Sequence, residues 1–260
     1  MNSESMLERL DRYYHEQGIP AIGGFNCKHK EACSAVCAPG KMISVPESYV
    51  GAGYEDGKLP RLLFVSSDTN NPEGLDEHPE YGALRGIREI IWRHRNDPLK
   101  PQTHLHQTLD LARSILAPYA KERLGKDIEF NDFVGYIANV RSTRCKDSSI
   151  GRKEGSPRMF RNCIGFLKGE IEVLRPDIIV MQGARARSAL WTTFPVIRQF
   201  SMSGYPNTIC QIVQLEANHT AIKIIAKHPC AHGSNGWKSG EIKNFVDWAA
   251  KSVQEFIPVA

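Results

Sequence analysis

Five cysteines are spaced as ligands would be. Cys27, Cys33 and Cys37 fall within eleven residues in a C-x5-C-x3-C arrangement, and Cys145 and Cys163 follow with seventeen residues between them. Thiolates are the usual ligands of iron–sulfur clusters; a cluster draws on four of them, and a distant pair can complete a nearby one. On spacing alone two other readings stand beside this one: small buried hydrophobes, and a zinc site using His29. Cys33 and Cys37 lie one turn apart if their stretch is helical, so both thiols would face the same way. Cys27 with Cys33 serves equally well as the N-terminal pair, and the spacing does not choose. Cys210 and Cys230 read as packing or loop residues.

A second set of chemistry-bearing residues closes a series of short apolar runs. Residues 61–65 lead into Ser66-Ser67-Asp68-Thr69-Asn70-Asn71, and residues 133–138 end at Asn139. Residues 177–181 lead into Gln182-Gly183-Ala184-Arg185, and residues 221–226 end at Lys227-His228-Pro229. Apolar periodicity places helices at about 4–17, 83–94 and 105–121, then from Pro157 to about 174 and from about 239 to 256. Strands separated by helices predict an α/β fold, a three-layer α/β/α sandwich around a mostly parallel four-stranded sheet. In such sheets ligands bind beyond the carboxyl ends of the strands. That gathers Asp68, Asn70, Asn139, Gly183 with Arg185, and His228 on one rim: a carboxylate, amides, a helix start and an imidazole. Residues 1–59, with the first helix and the cysteine-bearing segment, are expected to pack on a domain spanning 60–260.

The composition is that of a globular chain. Of 260 residues, 24% are charged and 41% hydrophobic, and 33 Lys and Arg against 29 Asp and Glu give a net charge of +4. So mild a charge permits nucleic-acid binding without demanding it. No apolar run approaches the ~18 residues of a membrane span, and no secretory layout opens the chain, so a cytoplasmic monomer is expected. Seven cysteines without a secretory signal argue for thiols, metal or cluster over disulfides. The sequence has no G-x-x-x-x-G-K-[ST] loop, no G-x-S-x-G elbow and no H-E-x-x-H. Gly51, Gly53 and Gly57 precede a strand instead of following one, so the dinucleotide fingerprint fails too.

Four segments in order resemble the iron–sulfur branch, families 4 and 5, of the uracil-DNA glycosylase superfamily. They are Asn139-Val140-Arg141-Ser142-Thr143-Arg144-Cys145, the stretch 163–171 opening with Cys163, Arg175-Pro176 through Gly183-Ala184, and His228-Pro229. Order and spacing agree over roughly residues 60 to 240, and Cys145 and Cys163 sit where the family has its third and fourth cluster ligands. The resemblance implies a 4Fe-4S cluster held by Cys145, Cys163 and two of Cys27, Cys33 and Cys37, with zinc as a lesser substitute. It implies DNA as partner, base flipping, and N-glycosidic hydrolysis. Asn139 would hydrogen-bond the flipped base, and His228 would donate to its carbonyl. Residues 231–237 would enter the minor groove, and Arg152 and Arg185 would hold phosphate.

The first motif departs from the family pattern G-E-A-P-G, because Ser67 stands where the family has Glu and Asp68 comes one place later. Asp68 is expected to position water, with Ser67 and Asn70 lining the pocket and Tyr81 stacking on the base. No lysine stands out as a Schiff-base nucleophile, so the expected enzyme is monofunctional. Small residues at the pocket keep open an anti-phage enzyme that excises glucosylated hydroxymethylcytosine. A catalytically inactive DNA-binding iron–sulfur protein is the reading from another class. Arg141, Arg144 and Lys146 are expected to touch DNA. His104 and His106 are expected at the surface or as helix caps.

Overall fold

The computed structural model describes residues 4–20, 24–44, 48–66, 104–147, 149, 155–190, 192–228 and 240–259. In chain order the elements are α1 (Met6–Glu16), α2 (Lys30–Ser34), β1 (Met42–Ser44), β2 (Tyr49–Val50), α3 (Ala52–Glu55), β3 (Leu62–Ser66) and α4 (His104–Leu124). A 3-10 helix (Phe130–Tyr136), β4 (Ile137–Arg141), β5 (Cys145–Asp147), α5 (Pro157–Leu174), β6 (Ile178–Gln182) and α6 (Ala184–Leu190) follow. The chain then forms β7 (Val196–Met202), β8 (Tyr205–Glu216), β9 (His219–Ala226) and α7 (Glu241–Phe256). The expected helix at 83–94 lies outside the described residues.

Local chemistry explains the boundaries. α1 starts on a capping box: Ser5 Oγ accepts the Glu8 N–H at 3.2 Å, and the Glu8 carboxylate accepts the Ser5 N–H at 2.7 Å. α5 starts at Ser156, whose Oγ accepts the Met159 N–H, with Pro157 in the first turn.

The fold is α/β, and its sheet is larger than the four strands expected. Seven strands pair in the order β2-β4-β3-β6-β9-β8-β7. The four expected strands form the parallel centre, β4-β3-β6-β9, while β2 joins antiparallel at one edge and the β7–β8 hairpin at the other. The sheet is therefore mixed. Two-residue β2 is too short to leave a pattern, and β7 is a largely exposed edge strand whose polar residues break the alternation that marks a strand. β1 and β5 form a separate antiparallel pair that carries Cys145.

One expected strand begins late. Residues 130–136 form a 3-10 helix that buries Phe133 and Val134, and β4 runs from Ile137 to Arg141. Asn139 is thus in the middle of its strand, paired with Phe64 of β3 and Tyr49 of β2.

Alternation divides the core between the two faces of the sheet. Leu63, Val65, Ala138, Val140, Ile179 and Met181 pack with α1, α5 and α6 on one side. Leu62, Phe64, Ile137, Ile178, Val180, Ile222 and Ile224 pack under α4 and α7 on the other. Burying each such side chain contributes about 1.5–3 kcal/mol. Tyr14 and Cys27, from before residue 60, belong to the first of these cores.

Candidate active site and cysteine cluster

The α4/α7 face of the sheet carries a polar patch at the carboxyl ends of the central strands. Two residues beyond Phe64 on β3 comes Ser66, two beyond Ile137 on β4 comes Asn139, and two beyond Val180 on β6 comes Gln182. The period of two puts all three side chains on that face. Asn139 Nδ2 donates to Ser66 Oγ at 3.0 Å, Ser66 Oγ donates to Gln182 Oε1 at 3.1 Å, and Gln182 Nε2 donates to Thr108 Oγ1 of α4 at 2.8 Å. Ser66, Gln182 and Thr108 are buried, whereas Asn139 is half-buried. The Ser66 carbonyl is held independently by the Ser142 N–H at 3.0 Å and Ser142 Oγ at 2.7 Å.

His104 stands one turn before Thr108 and brings a second imidazole to the rim. Its ring centroid is 4.9 Å from that of His228, with 40° between the planes. Burial pushes the His104 imidazole down to about 3, the charges of His228 and Arg141 add to this, and a hydrogen bond with the Gln182 side chain opposes it. His104 is therefore neutral at any physiological pH, and it lies within the site instead of at the surface.

Gly183 completes the arrangement from the backbone. It joins β6 to α6 at φ +96, and its N–H donates to Ala226 O at the end of β9 at 3.1 Å. A Cβ at this position would lie 3.1 Å from His228 Cβ. The glycine lets β6 turn while His228 packs against its backbone.

Of the remaining expected site residues, Ser67, Asp68, Asn70, Tyr81 and Arg152 lie outside the described residues, as do Cys230 and the loop 231–237. Arg185 is half-buried in α6, with its guanidinium 5.3 Å from the centre of the Phe160 ring. Two expected DNA contacts are corrected: Arg144 is 2% exposed and Lys146 is 1% exposed, so neither side chain reaches a phosphate. Arg144 instead pairs with the fully buried Glu170 at 2.6 Å and donates to the Arg141 carbonyl at 2.7 Å. Glu170 Oε1 also accepts from Tyr14 at 2.5 Å and Ser48 at 2.9 Å. Burial raises the Glu170 carboxyl, and Arg144, Tyr14 and Ser48 all pull it back down.

The cysteines divide along a line that the spacing left open. Cys27, Cys33, Cys145 and Cys163 are all buried. Cys33 and Cys145 share a hydrogen bond, which brings the Cys33 thiol down to about 6 with help from Asn162 Nδ2 at 3.4 Å and the charge of Arg158. The Cys145 thiol is raised by that same bond, by burial, and by the charges of Cys33, Cys163 and Cys27. Backbone N–H groups point at the other two sulfurs, His29 at Cys27 (3.4 Å) and Arg144 at Cys163 (3.3 Å). Cys37 Sγ donates to the Cys33 carbonyl at 3.4 Å, and the His29 ring lies edge-on to Phe166 at 6.0 Å. Cys210 is buried in the core on β8.

Among the described residues, no three His, Cys, Asp or Glu side chains stand close enough to hold a single metal ion. The ligands of a cubane bind separate irons, and so stand farther apart than the ligands of one ion. Four buried thiols acting on one another, with N–H donors aimed at three of the sulfurs, fit that donor set.

No protein-family model matches the chain, and neither does any curated protein sequence. Among the described residues no helix is long and apolar enough to cross a membrane.

Proposed function

We propose that this protein is a monofunctional DNA glycosylase that flips uracil or another modified pyrimidine out of DNA and hydrolyses its N-glycosidic bond. The observation that carries the reading is the convergence of Asn139 and His228 on one rim of a parallel sheet, with the Asn139 amide anchored by Ser66 and His228 seated on Gly183. An amide and an imidazole at that rim suit a base presented on its Watson–Crick edge.

In the reaction the bond from the sugar C1′ to the base nitrogen breaks, and its electron pair leaves with the base. Asn139 holds the base edge, while an N–H of His228 donates to the base carbonyl on which negative charge accumulates. Water adds its oxygen to C1′ and gives up a proton, so the products are the protonated free base and an abasic sugar. Asp68 is the proposed carboxylate for that water. Cys27, Cys33, Cys145 and Cys163 would hold a 4Fe-4S cluster, which when bound supplies iron–thiolate bonds that cross-link α2, β5 and α5.

The test is base release from a panel of DNAs. It includes uracil in single strands and opposite G or A, and cytosine carrying hydroxymethyl or glucosyl-hydroxymethyl groups, with alkaline scission reporting abasic sites. Release of at least one base, with turnover falling about 10²–10³-fold in Asn139→Ala or His228→Ala while DNA binding persists, is the expected result. DNA binding without release of any base would replace the enzyme reading with a binding protein. A borohydride-trapped covalent adduct would refute the monofunctional assignment.

A further inference from the structure

Asn139 is only as selective as its orientation. A side-chain amide presents an acceptor oxygen and a donor N–H side by side, and rotating it by half a turn exchanges them. The two kinds of pyrimidine edge differ by the same exchange. A uracil-like edge offers a ring N–H beside a carbonyl, whereas a cytosine-like edge offers a ring acceptor beside an amino group. Whatever fixes the amide also fixes which edge a given pose can satisfy.

The groups behind Asn139 leave it one choice. Gln182 Nε2 donates to Thr108 Oγ1 at 2.8 Å, which turns Gln182 Oε1 toward Ser66. The Ser66 hydroxyl has one proton, and it goes to that oxygen at 3.1 Å. Ser66 Oγ is then an acceptor only, and the Asn139 atom that meets it at 3.0 Å is Nδ2. An inverted amide would set its oxygen against an oxygen with no proton left to offer. Ser66, Gln182 and Thr108 are 2%, 1% and 3% exposed, so bulk water does not supply a substitute partner.

We propose that Ser66 and Gln182 are positioning residues that lock the Asn139 amide with its nitrogen inward, and so decide which pyrimidine edge the site accepts. The consequence for base choice rests on the glycosylase reading. The lock itself does not.

The experiment therefore has two readouts, both on the full chain. The first is the ratio of turnover on uracil-type and cytosine-type bases. Ser66→Ala and Gln182→Leu each lower that ratio at least ~10-fold, since a hydrogen-bonding site rejects a mismatched partner by far more than this. Turnover on the preferred base falls less, and Ser66→Thr, which keeps the hydroxyl, restores most of the ratio. The second readout is exchange of the Asn139 side-chain amide protons, followed by nitrogen-edited NMR. One proton is slow in the native chain and in Ser66→Thr, and fast in Ser66→Ala and Gln182→Leu. Fast exchange of both protons in the native chain would overturn the lock whatever base is released. An unchanged turnover ratio in both Ser66→Ala and Gln182→Leu would overturn its role in base choice. A slow Asn139 proton in a chain that releases no base would uphold the lock and overturn the glycosylase reading.

Discussion

Gly183 turns the chain from β6 into α6 at φ +96, and a Cβ there would press on His228 Cβ at 3.1 Å. Gly183→Ala therefore strains the backbone by about 1–2 kcal/mol and displaces the imidazole as well. Turnover is expected to fall at least ~10-fold while the chain still folds, because a small misplacement of a catalytic group costs much rate. Full activity in the alanine variant would show that His228 does not depend on this contact. His104 supports a pH prediction. Its imidazole titrates at about 3 in the folded chain against an ordinary 6.5, so between these values the unfolded chain binds a proton that the folded one does not. Stability is lost as pH falls from about 6.5 toward 3, and this contribution is flat above 6.5. Thermal melts from pH 7.5 to 4.5 should fall more steeply for the native chain than for His104→Gln; parallel curves would refute the assignment. Asn139 and His228 were legible in the sequence because each follows an apolar run. Ser66 and Gln182 were legible in principle, each two residues past a core residue, but a buried serine and glutamine carry no motif. His104 was not legible, since only the folded topology brings α4 beside the end of β9.

Among the elements, the joint between α1, α5 and the loop after β4 depends on a buried charge pair. Arg144 and Glu170 are almost fully enclosed, with Tyr14 of α1 donating to the carboxylate and its ring 5.7 Å from the guanidinium. Removing one partner leaves the other buried and uncompensated, at a cost of about 3–5 kcal/mol. Arg144→Met should lower the urea midpoint by that amount, and Arg144→Met with Glu170→Leu should recover much of it. A small loss in the single variant would mean that water reaches Glu170. The same joint shows why basic residues near a site mislead when read as text: Arg141-Ser142-Thr143-Arg144-Cys145-Lys146 has the spelling of a phosphate-binding strip, yet two of its three cations point inward. Burial is a property of the fold, and the local pattern carried no sign of it. Helices with strong caps and apolar stripes, α1, α5 and α7, were legible to within two or three residues. The β7–β8 hairpin was not, because its partner β9 supplies the apolar contacts that its own sequence lacks.

At the scale of the whole molecule, the four coupled thiols come from three distant parts of the chain and meet beside the segment that follows β4. If they hold a cluster, anaerobically purified protein is brown with about four irons per chain. Substituting Cys27, Cys33, Cys145 or Cys163 by Ser then bleaches it and lowers the melting temperature. Cys37→Ser leaves the iron content unchanged. Iron loss in Cys37→Ser with retention in Cys27→Ser would reverse the assignment, and colourless protein rich in zinc would replace the cluster. The choice between Cys27 and Cys37 was closed to the sequence, since it depends on which sulfurs face β5 and α5 after folding.

The sheet is not assembled in the order in which it is synthesised. β9 is the last strand made, yet it lies between β6 and β8, and His228 follows it by two residues. Until residues 219–226 leave the ribosome, the nascent chain has two unsealed strand edges and only half of its central seam. At about 5–20 residues per second, more than ten seconds of synthesis precede that moment. A polypeptide stalled or truncated before it has no imidazole to bring to Asn139. The enzyme proposed here would thus be inert while unfinished, so incomplete translation products are held back from the genome by chain topology alone.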